Sequence, residues 1–321
     1  MVSTLHRSAL AVIGCMALAS VAWAAPASYN FQTVISPGDP AFTQLLGINN
    51  AGTIAGYFGD GTIVPNNGFT LTLPSSYTAE NVPGSAQTQV IGINNTGWTD
   101  GFFVDNGGVT HGFAYNGSFT TVDSPGTAFN QLLGINDTGT AVGYSSVDPT
   151  GMTLQLSYTE KGGSFTYLNG LLPAGVQNNQ AVGINNAGTV AGFYVDAIGN
   201  THGYLVTGGV LTTLDFPGAT LTQAFGINNK GEVVGIYIDG SGQHGFTYNG
   251  TSWQTVDDPL GIGSTVINGL NDKGQLVGFY TEANGNVDGF VANPVPEPAS
   301  LALLGSGILL AAGTIRRKMM R

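Results

Sequence analysis

Six carboxylates recur in register along this chain: Asp60, Asp105, Asp148, Asp196, Asp239 and Glu282. Each follows a glycine that itself recurs, at Gly56, Gly101, Gly143, Gly192, Gly235 and Gly278, by four residues in five copies and by five at Asp148. Carboxylate oxygens suit hard cations, so calcium or another cation, or a ligand held through it, is one expected occupant. The other duty of such residues is to cap a turn through their own side chains. Capping alone would let asparagine or serine substitute often, and an acid in all six copies favours a use for the charge. None of the six has the spacing of a dedicated calcium loop.

Three histidines, His111, His202 and His244, also hold equal repeat positions. A shared metal site is opposed by geometry. They fall on the third strand of their repeats, strands lie about 4.8 Å apart, and zinc needs its ligands within about 2.1 Å. A local hydrogen bond at the start of that strand is the expected role. No serine stands out in a nucleophile-like turn, so no hydrolytic triad is recognised. Tyr57 and Phe103 could stack on sugars, although packing between sheets is the commoner duty of such rings.

The elements that must position these groups come from one stretch, Gly226 to Tyr237, which occurs six times. Its copies begin at Gly47, Gly92, Gly134, Gly183, Gly226 and Gly269. In the fifth copy an apolar run over 224–228 leads into the turn Asn228-Asn229-Lys230-Gly231, and residues 232–238 read as a second strand. A turn at 239–242, a strand at 244–248, the hairpin signal Asn249-Gly250 and a strand at 252–256 follow. One period is thus four antiparallel strands, a to d, the signature of a β-propeller blade. The expected fold is all-β, a six-bladed propeller. The last copy lacks a strand d, and Tyr29 to Val34 would supply it and close the ring. In that arrangement the b–c and d–a turns share one face, adding Asp123, Asp215, Asp257 and Asp258 to the six acids. The asparagine pairs at the a–b turns, such as Asn49-Asn50 and Asn228-Asn229, fall on the opposite face and read as turn residues.

Composition agrees. Only 8% of the 321 residues are charged, with 50 glycines and 42% hydrophobic content, which suits short strands and not helices. All the acids lie between Asp39 and Glu297, where the only bases are Lys161, Lys230 and Lys273. A body of that sign repels phosphate backbones and argues against nucleic acid as a partner. The single cysteine, Cys15, allows no internal disulfide.

Residues 1–24 read as a signal peptide: Arg7, an apolar run, then the small-x-small site Ala22-Trp23-Ala24. Residues 25–294 carry the repeats. Residues 295–321 hold Pro296-Glu297-Pro298, then an uncharged run from Ala299 to Ile315, then Arg316, Arg317 and Lys318. As a helix that run spans about 25 Å, the short limit for crossing a bilayer. The triplet, the span and the basic tail together resemble the PEP-CTERM sorting signal of Gram-negative bacteria. The resemblance implies an exosortase-type sorting enzyme as partner, a membrane intermediate held by the C-terminal helix, removal of the tail, and delivery to the cell surface or extracellular matrix. The third-strand triplets His111-Gly112-Phe113, His202-Gly203-Tyr204 and His244-Gly245-Phe246, with the Gly-Ile-Asn stretches, resemble the HAF family of extracellular repeats over 29–294. Here glycine replaces the alanine of that family's His-Ala-Phe triplet. The family implies an exported repeat protein. The function expected is a binding or structural role at the envelope or exopolysaccharide matrix. The alternative is a hydrolase or lyase acting on extracellular polysaccharide, which rests on fold analogy.

Overall fold

A computed structural model describes residues 28–295. The expected signal peptide, the sorting triplet, the apolar run and the basic tail lie outside the described residues. Among the described residues no helix is long and apolar enough to cross a membrane.

The described residues are all-β apart from one short 3-10 turn at Asn169–Leu171. Four sheets have four antiparallel strands each. An eight-stranded sheet combines the fourth and fifth repeats, which touch through the single parallel bridge Thr201–Leu221. In the fifth repeat strands a to d run Leu221–Ile227, Val233–Asp239, Gly242–Tyr248 and Trp253–Thr255, close to the ranges read from sequence. The N-terminal strand Tyr29–Val34 pairs antiparallel with Val287–Pro294, from Tyr29 opposite Pro294 to Val34 opposite Gly289. It completes the sheet formed by the last repeat. The core lies between neighbouring sheets. One seam joins Leu45, Ile54, Phe69 and Leu71 of the first repeat to Val34, Val277 and Val291 of the last.

Strands a approach one another by their backbones, which is why glycine opens each copy. A Cβ on Gly183 would stand 2.6 Å from the Phe225 carbonyl oxygen, and one on Gly269 would stand 2.5 Å from that of Leu46. The last repeat therefore abuts the first as the fourth abuts the fifth. Just before each of these glycines the a–b register shifts by one residue, between Ala224 and Gly226 in the fifth repeat and at the matching place in the other five. Such a bulge kinks the strand and re-aims a side chain. The residues it displaces, Leu46, Ile91, Leu133, Val182, Phe225 and Asn268, line the central passage.

A ring of asparagines ties the same strands together at the a–b end. Asn49 Nδ2 donates to the Asn94 carbonyl at 3.1 Å, Asn94 to Asn136 at 2.9 Å, and Asn136 to Asn185 at 3.1 Å. Asn185 donates to Asn228 at 3.2 Å, Asn228 to Asn271 at 3.2 Å, and Asn271 back to Asn49 at 3.0 Å. Each side-chain oxygen stays within its own turn; Asn49 Oδ1 accepts the N–H groups of Ala51 and Thr53, both at 3.0 Å. The expectation that these residues shape turns holds, and they also join the repeats. Close packing at the axis predicts that Gly269→Val lowers the melting temperature, since overpacking costs about 1–3 kcal/mol. Gly240→Ala, where a Cβ meets nothing within 4 Å, is expected to leave it unchanged. Thermal unfolding followed by circular dichroism checks both.

One core position breaks the pattern. Opposite the first glycine of each repeat stand Ala55, Val142, Ala191, Val234 and Val277, but in the second repeat Asp100. Asp100 is fully buried, its Oδ1 accepts the Gly92 N–H at 2.9 Å, and its Oδ2 has no partner. Burial pushes its carboxyl up to about 8, against the opposing pull of the Gly92 and Gly134 N–H groups. The folded carboxyl thus keeps its proton to higher pH than the unfolded one. Its contribution is complete below the ordinary carboxylate range and is lost as pH rises toward 8. Asp100→Val is expected to flatten the fall in melting temperature between pH 4 and pH 8 relative to the wild type.

Candidate functional site

The b–c and d–a turns emerge together, and each histidine shows it by bridging one of each. His111, on the strand Thr110–Tyr115, places Nδ1 2.7 Å from Asp123 Oδ2 and Nε2 3.6 Å from Asp105 Oδ2. His202 repeats the arrangement with Asp215 at 3.0 Å and Asp196 at 3.3 Å, and His244 with Asp257 at 2.7 Å and Asp239 at 3.5 Å. Each ring lies against the cross-strand aromatic of strand b, Phe103, Tyr194 or Tyr237, at centroid distances of 5.0–5.2 Å. The local hydrogen bond expected of the histidines is present on Nδ1 of all three, and His202 makes a second, through Nε2, to Asp196. Phe103 is thereby committed to a histidine, and buried Tyr57 to Gln44 through its hydroxyl.

The six acids fall one to a repeat and are not brought together. Asp60 Oδ1 accepts the N–H groups of Thr62, Ile63 and Val64 at 2.8–3.0 Å. Asp105 Oδ1 takes Gly107 and Val109, Asp196 Oδ1 takes Ile198 and Asn200, and Asp239 Oδ1 takes Ser241. Asp148 takes the N–H groups and hydroxyls of Thr150 and Thr153. These donors favour the ionised form. The Thr62 and Val64 N–H groups hold Asp60 down to about 2, and Thr150 and Thr153 do the same for Asp148. Glu282, one methylene longer, instead accepts the Asn284 side-chain amide at 2.8 Å. Every one of these acids is thus engaged in its own loop. Among the described residues no three His, Cys, Asp or Glu side chains converge to hold a metal.

In the last repeat Asp288 replaces histidine. Burial and neighbouring Glu282 raise its carboxyl above the ordinary range. In the third repeat Leu156 holds that place and no such bridge forms.

The two ends of the molecule differ in charge. Lys230 and Lys273 sit in a–b turns, and Lys161 Nζ reaches the a–b turn hydroxyl of Thr138 at 3.4 Å. Ser28 and Val295, the ends of the described chain, lie here too: Val295 N donates to Ser28 O at 2.8 Å, and Gln275 Nε2 to Asn293 Oδ1 at 2.7 Å. All three described lysines therefore share a face with the chain ends, and the acidic b–c and d–a turns occupy the other. On the lysine face Asp137 accepts the Asn95 and Asn186 amides at 2.9 and 2.6 Å, and Asp272 those of Asn50 and Asn229 at 2.7 and 3.0 Å.

One contact escaped the sequence reading. Ser241 Oγ stands 2.9 Å from His244 Nε2, in a turn, Asp239-Gly240-Ser241-Gly242, that reads as a plain turn. The serine two residues after the turn acid and three before the histidine was the available signal.

A family model described as the PEP-CTERM protein-sorting motif matches residues 294–318. The motif marks an exported protein that transits the membrane and is sorted to the surface, as the C-terminal residues imply. No curated protein matches the chain. Among solved structures, a gluconolactonase from Xanthomonas campestris is 10% identical over 83% of this chain and 90% of its own, with a TM-score of 0.51. The fucose-recognising lectin of Aleuria aurantia, a six-bladed β-propeller, is 12% identical over 81% and 99%, at 0.48. A lectin from Burkholderia pseudomallei is 11% identical over 84% of both chains, at 0.41. The gluconolactonase likeness is one of fold, and the lectin likenesses say nothing of what this chain binds. The described residues form an all-β, propeller-like set of four-stranded antiparallel sheets, and residues 294–318 carry a PEP-CTERM sorting motif.

The bonds from Asp215 and Asp196 to His202 outweigh its burial and raise its pKa. Stability from this bridge is present below the free imidazole range and is lost as pH rises through the folded value. The partners are partly exposed, so the effect is of the size of a surface pair, about 0.2–1 kcal/mol. An NMR titration is expected to place His202 above an unperturbed histidine, and Asp215→Asn to bring it back.

Proposed function

We propose that the six repeats are the blades of a closed propeller, completed by the N-terminal strand, and that the protein serves a binding or structural role at the cell envelope or exopolysaccharide matrix. The observation that carries this reading is the polarity of the molecule. The chain ends and the lysines share one face, and the acidic turns lie on the other. A protein held at its C-terminal end, through a membrane helix before processing or at the surface after it, turns its acidic face outward.

An exosortase-type enzyme is the sorting partner, acting at Pro296, Glu297 and Pro298 with Arg316, Arg317 and Lys318 behind them. The HAF-like triplets agree with an extracellular repeat protein. Asp60, Asp105, Asp148, Asp196, Asp239 and Glu282 form the binding face. Like charges repel, so the partner is a neutral polysaccharide, or an anionic one bridged by a cation such as calcium. A second reading, a hydrolase on a propeller scaffold, has one observation behind it, the approach of Ser241 to His244.

The test exploits the turn caps. Aspartate-to-asparagine changes at 60, 105, 148, 196 and 239 keep a side-chain oxygen for the turn and remove the charge. A glycan-array screen with and without calcium is expected to show polysaccharide binding that falls at least tenfold in the combined variant. Binding unchanged by the loss of all five charges, or no binding to any glycan, contradicts the reading.

A further inference from the structure

We infer that Ser241, His244 and Asp257 form a nucleophilic centre able to cleave small neutral esters. The inference rests on the second reading above and not on what the acidic face binds. A nucleophilic serine needs a base within hydrogen-bond reach and a third group to orient the base. Ser241 Oγ lies 2.9 Å from His244 Nε2, and His244 Nδ1 lies 2.7 Å from Asp257 Oδ2. Asp257 is itself fixed, its Oδ1 accepting the Gly245 N–H at 3.2 Å. Stacking on Tyr237 at 5.0 Å and 25° sets the plane of the imidazole.

The comparison within the molecule isolates the serine. All three histidines have a carboxylate on Nδ1 and the turn acid near Nε2, Asp105 at 3.6 Å, Asp196 at 3.3 Å and Asp239 at 3.5 Å. Among the described residues the fifth repeat alone puts a hydroxyl on Nε2. His244 is also the most buried of the three, its side chain 10% exposed, whereas Ser241 is open to solvent. A shielded base beside an accessible hydroxyl is the arrangement that acyl transfer uses. The loop at 258–264 abuts this turn, with Gln243 N donating to Gly263 O at 3.3 Å, and it carries exposed Leu260 and Ile262. Those side chains offer apolar surface to an acyl chain. Asp239, Asp257 and Asp258 disfavour an anionic substrate.

The reaction is hydrolysis. Ser241 Oγ attacks the ester carbonyl carbon while its proton passes to Nε2 of neutral His244. The carbon–oxygen bond to the alcohol breaks, and the imidazolium returns that proton to the departing oxygen. Water, with His244 again as base, then releases the carboxylic acid and restores the serine. Asp239 competes in the resting state, because Ser241 Oγ also donates to Asp239 Oδ1 at 2.6 Å. Asp239→Asn keeps an oxygen for the turn but weakens that hold.

The test uses a fluorophosphonate probe, read by peptide mass spectrometry, and hydrolysis of p-nitrophenyl acetate by the full chain. We expect phosphonylation at Ser241 and hydrolysis at least tenfold above the Ser241→Ala variant. His244→Gln is expected to abolish both, and Asp239→Asn to raise the rate. Asp257 acts as a positioning residue, so Asp257→Asn is expected to lower the rate and change its pH profile. Ser241 is exposed, so Ser241→Ala remains a folded control even where a histidine variant fails to fold. An unlabelled Ser241, or hydrolysis equal to that of Ser241→Ala, overturns the proposal and leaves polysaccharide binding by the acidic face standing. Loss of polysaccharide binding in the aspartate variants does not remove the label.

Discussion

The contact on which the rest depends is the approach of the six inner strands at the axis. It is a contact of backbones, made possible where Gly183 meets Phe225 and Gly226, and where Gly269 meets Leu46 and Gly47. Hydrogen bonds from one asparagine side chain to the next repeat's carbonyl fix the spacing at the a–b end. Buried amides need partners, and here each side-chain nitrogen finds one on a neighbouring repeat. Each repeat is therefore incomplete alone, which is the usual energetic logic of repeat architectures.

A centre built this way leaves little room for chemistry. The bulged residues Leu46, Ile91, Leu133, Val182 and Phe225 present apolar side chains to the central passage. Apart from Asn268 in the passage and the buried Asp100, the polar groups described above lie at the two rims, where their surroundings differ. At the a–b rim, amides of Asn95 and Asn186 embrace Asp137, so its charge is spent on neighbours. At the other rim, carboxylates cap their own loops, and Asp105 and Asp196 face a histidine with the oxygen left over. Asp196 shows both duties, with Oδ1 in its turn and Oδ2 3.3 Å from His202. Turn chemistry and charge are thus compatible at one residue. Turn chemistry alone explains why an oxygen stands there, but not why that residue is an acid in all six repeats.

Much of the fold is legible in the sequence because one rule is written six times. The glycine, asparagine and acid positions mark a strand, a turn and a second turn, and the strands fall close to where they are read. The N-terminal strand could be matched to Phe119 to Val122 because both end in the same turn residues. The bulge before Gly226 is not legible: Ala224-Phe225-Gly226-Ile227 reads as continuous strand, and the extra residue is forced by a neighbour 43 positions away. Asn228 reads as a turn residue for the same reason, since its second partner lies in the next repeat. Asp100 was open to detection, as a lone acid where other copies hold alanine or valine. The histidine bridges need the d–a turn beside strand c, which spacing suggests, but the contact of Ser241 with His244 depends on side-chain direction.

The central claim is that the molecule is polar, with the acidic rim displayed and the rim bearing the chain ends turned inward. Labelling of introduced cysteines by an impermeant maleimide on intact cells tests it most directly, with one at Ile198 in a b–c turn and one at Lys230 in an a–b turn. Labelling at 198 is expected to run several-fold faster than at 230, with both positions equally reactive in the detached protein. Equal rates on cells, or faster labelling at 230, contradict it.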